Sequence, residues 1–372
     1  MEATIQPGEV LLADDSPGVW GLVGQRFRRD KVGMVSLVIV AVFVIIALAS
    51  AMGLVAGDWA EETGSGNAPP AFLNKNLSHP DTQAATGRVA RITPTESSIQ
   101  DPLAGDLAEI RPEIIATPNP DIQDPLADVL AEIKREAKSP QAKPARSGKL
   151  LFGSDKWGRD VLKKTIKGTQ VSLLVGLASA ALATLIGTLF GAIAGYYGGK
   201  RDDFFNWLYS VFTSIPYLLL VLAIAAVLNR RGPDTVILIL ALTGWTGIFR
   251  LVRAEYLKHR VREYVLAADA IGASNLRRVF VHILPNVSHV VLVQLSLHVV
   301  LFIKSEVVLS FLGFGVGVDT VSWGSMLNEA QSELLLGYWW QMAAATLFMA
   351  VLVTAFSLFT DALRDALDPK LQ

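Results

Sequence analysis

Six long apolar runs divide this chain, at 33–56, 171–197, 204–228, 234–252, 287–312 and 337–361. An α-helix rises about 1.5 Å per residue, so roughly 20 such residues cross a roughly 30 Å hydrocarbon layer with their backbone polar groups satisfied internally. A soluble protein would disperse its apolar residues. Here they make up 51% of 372 residues, against 18% charged, and they come in unbroken stretches. The runs predict an all-α membrane protein with six transmembrane helices. The first run is longer than the apolar core of a secretory signal, so it reads as a permanent anchor.

Lysine and arginine set the expected orientation. Arg26, Arg28, Arg29 and Lys31 precede the first run, and Arg250, Arg253, Lys258, Arg260, Arg262, Arg277 and Arg278 follow the fourth. Such residues concentrate in cytoplasmic loops. Both clusters predict one topology, with the N- and C-termini cytoplasmic. Lys200 and Arg201 agree with it, while Arg230 and Arg231 count against it.

Between the first two runs lies a segment of another character. Residues 57–149 hold 11 of the 17 prolines, and their only aromatics are Trp59 and Phe72. Such a composition cannot bury enough apolar area to offset the entropy of ordering. A long extracytoplasmic loop is expected. It contains a two-copy repeat, IQDPLAGDLAEI at 99–110 and IQDPLADVLAEI at 122–133. In each copy an aspartate (Asp101, Asp124) can cap a short helix, and the following proline (Pro102, Pro125) suits its first position. The repeat reads either as a pair of docking helices or as a duplicated linker.

The net charge of -1 gives no support to nucleic-acid binding. The absence of cysteine excludes disulfides and thiolate metal sites in this chain. His282, His289 and His298 lack a metal-ligand pattern, and no nucleophile–base or paired-carboxylate constellation is visible. No metal site and no catalytic residue is expected.

The basic stretch after the fourth run reads EYVLAADAIGASNLRRVFVHILPN, from Glu263 to Asn286. Ala267, Ala268 and Ala270 favour a helix, Gly272 interrupts it, and Ser274 or Asn275 can cap a second one. Leu276, Val279, Phe280 and Ile283 form a stripe on that second helix, and Pro285 is expected to stop it before the fifth run. An apolar helix–bend–helix outside the membrane calls for a partner to cover it.

This segment resembles the "EAA loop" of ATP-binding-cassette importer permeases, through Ala267, Ala268, Gly272, Leu284 and Pro285; the family's Glu is Leu266 here. LLFGSDKWGRDVLKKTIKGTQVSLLVG at 150–176, with Gly158, Arg159 and Asp160, resembles the dipeptide and oligopeptide (and nickel) permease family, C-type subunit. So do LSFLGFG at 309–315, SWGSML at 322–327 and DALRDALDP at 361–369. The resemblance covers roughly 20–56 and 150–372.

It implies a type I importer permease fold with a long insertion between helices 1 and 2, in the bacterial inner membrane. Implied partners are a homologous second permease, two ATPase subunits, an extracytoplasmic substrate-binding protein and membrane lipid. ATP and Mg2+ would be used by the ATPases, with no cofactor on this chain. Ala267, Ala268, Asp269, Gly272, Ala273, Ser274, Leu276 and Pro285 would couple to an ATPase, the lever running from Val265 to Phe280. The chain has no GxxxxGK[ST] phosphate loop, so it is not expected to be an enzyme. The implied cargo is a peptide; nickel, an opine or glutathione is the alternative on the same machinery, and an ion-driven carrier or a membrane scaffold is the alternative outside it.

The expected organisation is a cytoplasmic segment 1–32, a first transmembrane helix 33–56, the loop 57–149, a core 150–361 with five transmembrane helices and a cytoplasmic loop 253–286, and a tail 362–372. Gly187, Gly191 and Gly195 suit close helix packing, inside the bundle or against a second subunit. Lys304 and Glu306 fall within the fifth run, where charge is costly. They either line the translocation path or pair with another span.

Overall fold

The computed structural model of the chain describes residues 19–73, 150–317 and 319–367. The repeat at 99–110 and 122–133, most of the 57–149 loop and the ends of the chain lie outside the described residues. Met1–Ala71 and Lys149–Gln372 belong to one compact unit, and every named element in it is a helix.

These are α1 (Val19–Arg29), α2 (Lys31–Ala51), α3 (Val161–Tyr197), α4 (Gly199–Thr213), α5 (Tyr217–Leu228), α6 (Pro233–Gly244), α7 (Thr246–His259) and α8 (Glu263–Ala270). Then come α9 (Asn275–Phe311), α10 (Trp323–Leu335) and α11 (Trp340–Leu367). Four of them, α2, α3, α9 and α11, are long and apolar enough to cross a membrane. The pairs α4–α5, bent by 87°, and α6–α7, bent by 41°, raise the count to six if each pair is one span.

Several boundaries differ from those expected. The first helix covers Lys31–Ala51 rather than 33–56, because Gly53 takes a φ of +73° and closes it. The second begins at Val161, ten residues ahead of the apolar run at 171. Asp160 caps it, accepting from the Leu162 amide at 2.8 Å, and the cationic turns that follow pack against acids instead of ending the helix. At about 55 Å, α3 outruns the hydrocarbon layer, so its first turns need not be apolar.

The third run is broken at Ser214–Pro216, where proline cannot continue a hydrogen-bonded helix. In the fourth the break falls at Trp245. Pro285 does not stop the second helix of the basic segment. Residues Arg278–Ile283 take a π-helical turn, which accommodates the proline ring, and α9 runs on through it. Helix α10 was not anticipated; Ser322 caps it, with reciprocal hydrogen bonds to Ser325.

Helix α3 runs through the middle of the unit, against α2, α6, α7 and α9. Its glycine stripe faces α7. A Cβ on Gly187 would lie 2.7 Å from the Trp245 carbonyl, one on Gly191 would lie 2.9 Å from the Phe249 carbonyl, and one on Gly195 would lie 2.6 Å from the Arg253 carbonyl. The stripe therefore serves packing inside this chain. Gly191→Ala is expected to cost about 1–3 kcal/mol through forced backbone separation. Gly247→Ala, on the same α7 but with an added Cβ no closer than 3.9 Å to its neighbours, should be neutral or gain up to about 1 kcal/mol. Thermal unfolding of the purified variants checks both, and equal stability of the two would contradict the packing role.

Candidate functional site

The helix–bend–helix after α7 spans Glu263 to Ile283 and closes on itself by backbone geometry. Helix α8 ends in a left-handed turn at Gly272, φ +84°, where the Gly272 amide donates to the Asp269 carbonyl and the Ala273 amide to the Ala268 carbonyl, both at 2.9 Å. This double bond pattern satisfies carbonyls that a helix end would leave open. A Cβ at Gly272 would meet nothing, so the backbone angle, and not space, demands glycine there. Ser274 then starts α9, its hydroxyl accepting from the Arg277 amide at 3.3 Å.

One face of this element is anchored. Val265, Ala268, Val279 and Ile283 are buried, and apart from Ala268 they share a core with Ala192 of α3 and Ile248, Val252 and Tyr256 of α7. The Tyr256 hydroxyl donates to the Val279 carbonyl at 3.1 Å, and the Arg260 guanidinium to the Gly195 carbonyl at 3.4 Å. Across the bend, Arg278 pairs with Asp269 at 2.5 Å and donates to Asn275 at 2.7 Å. The Tyr196 hydroxyl, at the end of α3, also reaches Asn275 at 3.1 Å. The two helices thus follow the ends of α3 and α7 as one piece.

The opposite face is apolar and open. Ile271 is 85% exposed, Leu276 65% and Leu266 56%. Ala267, Asp269, Gly272, Ser274 and Pro285 are exposed as well, Ala273 is half-buried, and Ala268 belongs to the anchored side. Phe280 is exposed, so the expected stripe splits: Val279 and Ile283 turn inward, Leu276 and Phe280 outward.

Lys304 and Glu306 are separated by the fold. Lys304 is exposed on the surface of α9. Glu306 is fully buried, and its carboxyl accepts from the Ser172 hydroxyl of α3 at 2.8 Å and from the Ser310 hydroxyl at 2.7 Å. Those hydroxyls in turn accept from the amides of Trp323 and Val316, at 3.3 and 3.2 Å. Glu306 thereby ties α3, α9 and the start of α10 together.

At the far end of α3, Gly158, Arg159 and Asp160 form the turn into the helix. Gly158 has φ +80°, and a Cβ there would fall 2.2 Å from the Gly64 carbonyl. Arg159 lies over the rings of Trp157 and Trp59, at 4.7 and 5.5 Å.

Beside this turn is a cluster that sequence reading missed. Lys164 is fully buried; its ammonium donates to Asp155 at 2.8 Å, to the Glu329 carboxylate, and to Gln341 at 3.4 Å. Asp155 also accepts the amides of Trp157 and Arg159 at 2.9 Å each. Nearby Glu333 accepts the Lys156 amide at 3.0 Å, while its other oxygen has no donor among the described residues. Burial pushes the Glu333 carboxyl above its ordinary range, and the neighbouring Asp155 and Glu329 push the same way. Three lysines in the first two turns of α3, just after an aspartate, were the available signal.

Residues 187–372 match the model of the family described as the binding-protein-dependent transport system inner membrane component. Residues 18–70 match the N-terminal TM domain of oligopeptide transport permease C. The dipeptide transport system permease protein DppC of Bacillus subtilis is 40% identical over 221 residues, 59% of this chain and 69% of that protein. The oligopeptide transport system permease protein OppC of the same organism is 37% identical over 59% of this chain and 72% of its own length. A solved structure of the MetNI methionine ABC transporter, in inward-facing conformations, aligns at a TM-score of 0.45 and 16% identity, over 55% of this chain and 96% of that one. With half its length matched by the family model and a close relative covered over more than two thirds, the chain belongs to the binding-protein-dependent transport system inner membrane component family.

Proposed function

We propose that the chain is a permease subunit of an ATP-driven importer in the bacterial inner membrane, with peptides as cargo. One observation carries this reading: a rigid helix–bend–helix is fastened to the ends of α3 and α7 on one side and offers Leu266, Ile271 and Leu276 on the other. Such an element, docked in a cytoplasmic ATPase, transmits movement of that ATPase to the spans. Packed bundles have discrete arrangements, so a small displacement at the docking face becomes a switch between inward-open and outward-open states. Peptide cargo is supported by the relatives named for dipeptide and oligopeptide transport.

On this reading the six spans are α2, α3, α4–α5, α6–α7, α9 and α11, with both termini and the helix–bend–helix in the cytoplasm and the 57–149 segment outside. The partners are a second, homologous permease, two ATPases that use ATP and Mg2+, and an extracytoplasmic binding protein. Ala267, Ala268, Asp269, Gly272, Ala273, Ser274, Leu276 and Pro285 shape the coupling element. Mass spectrometry of tagged protein drawn from native membranes in mild detergent tests the assembly. A phosphate-loop ATPase and a second permease should co-purify, and the ATPase should be lost from Gly272→Pro. If no ATPase appears while the bundle stays folded, an ion-driven carrier becomes the better reading.

Lys304 belongs to the same proposal. A charge exposed on one subunit at membrane depth needs protein or water beside it, which suits a face turned to the second permease and the path between them. Lys304→Met is expected to lower uptake while leaving thermal stability unchanged. Glu306→Gln disturbs a buried carboxyl held by two hydroxyls and is expected to lower both. Uptake retained by Lys304→Met would remove Lys304 from the path.

A further inference from the structure

A groove between α2 and α11 encloses about 610 Å3 on the outer surface of the unit. Val35 and Ile39 of α2 and Val351 and Leu358 of α11 form its walls, with Thr354 on its side and Lys31 at one end. From Lys31 to Ile39 it runs about 12 Å, close to the depth of one leaflet of a roughly 30 Å hydrocarbon layer. It is open along its length: Val32, Val35, Val351 and Leu358 are all exposed.

The Lys31 end is strongly basic. Arg26, Arg28 and Arg29 fill the last turn of α1, one residue before α2 begins. Helix α1 is held beside the groove by Phe27, whose ring meets Phe359 of α11 edge-on at 5.7 Å. Among the described residues, none of these four cations forms an ion pair. The Asp30 carboxylate is turned back to cap α2, accepting the Val32 amide at 2.9 Å. Asp361, Arg364 and Asp365 on the facing end of α11 carry one net negative charge, which leaves the local balance positive. Four cations directly flanking a span attract anionic headgroups.

We propose that this groove binds one anionic phospholipid of the cytoplasmic leaflet, an acyl chain lying between α2 and α11 and the phosphate meeting Lys31, Arg28 and Arg29. The leaflet assignment rests on the orientation proposed above. The groove's length matches one leaflet, its walls match a hydrocarbon chain, and its positively charged end favours a headgroup of net negative charge over a zwitterionic one.

The test is native mass spectrometry of the full chain, purified in mild detergent with whatever subunits accompany it. It is titrated with phosphatidylglycerol and with phosphatidylcholine of matched acyl chains. One phosphatidylglycerol should be retained in preference to phosphatidylcholine. Lys31→Gln should weaken that lipid about fivefold, and a further Arg28→Gln should do so again. Val35→Trp plugs the groove from an exposed position, keeps every cation, and should abolish the preferred binding. The proposal is overturned if neither lipid is preferred, if Lys31→Gln leaves phosphatidylglycerol binding unchanged, or if the preference survives Val35→Trp. It is also overturned if Val35→Trp sheds a second permease and no lipid, which assigns the groove to that subunit. Because retained lipid is the readout, the result does not depend on whether an ATPase co-purifies.

Discussion

Lys164→Met is expected to cost about 3–5 kcal/mol of stability, because it leaves the buried Asp155 carboxylate and the half-buried Glu329 without their cation. Lys164 is fully buried among Asp155, Glu329 and Gln341, and Asp155 is fully buried with it. Asp155 also organises the turn into α3 through the amides of Trp157 and Arg159. Glu329 belongs to α10 and Gln341 to the first turn of α11, so one ammonium fastens three helices and a loop. Methionine supplies similar volume and no charge. The isolated Coulomb gain of the cluster is not the quantity at stake; the penalty is that of acids left behind in a dry site. Thermal unfolding followed by tryptophan fluorescence suits the measurement, since Trp157, Trp323 and Trp340 lie around the cluster. Adding Glu329→Gln to Lys164→Met should recover part of the loss by removing one orphaned charge. A loss below about 1 kcal/mol for the single variant would place the cluster in the class of weak surface pairs.

What could be read from sequence follows the physics of each signal. Apolar runs report burial in lipid, so every run falls in helix, the third and fourth each on a bent pair, and Gly272 with Ser274 marked a real bend because backbone angle and capping are local. Runs do not report where a helix begins once polar side chains find partners. Lys163 and Lys164 lie ahead of the apolar run that begins at 171 and are in the first turn of α3, held by Asp58, 105 residues away in the chain, and by Asp155 in the turn before the helix. Pro216 sits inside the run read as one span, 204–228, and breaks it. Pro285 was expected to stop a helix, yet α9 passes through it by widening one turn, a tertiary accommodation that no local rule supplies. Glu306 was visible as an intramembrane acid, and Ser310 stands at the i+4 spacing that pairs two side chains on a helix, but its other partner, Ser172, comes from α3 and no spacing supplies it.

Ile271→Asn combined with Leu276→Gln is expected to abolish uptake while leaving the fold intact. The two side chains are 85% and 65% exposed at the bend, and polar replacements at such positions normally change stability by less than about 0.5 kcal/mol. Their effect is therefore confined to whatever covers that face. Central apolar contacts at an interface can each be worth about 2 kcal/mol or more, so losing both should weaken ATPase docking by at least a few hundredfold. Val265→Asn makes the complementary case. Val265 lies only six residues from Ile271 but is buried with Val252, Tyr256 and Val279, so a polar amide there should destabilise the chain itself. The pair of results separates a docking face from an anchored face on one short element. Co-purification of the ATPase, uptake and thermal stability are read on the same preparations. If Ile271→Asn with Leu276→Gln retains both the ATPase and uptake, the exposed side of the helix–bend–helix is not where force enters the permease. The anchored side would then be left with a purely structural role.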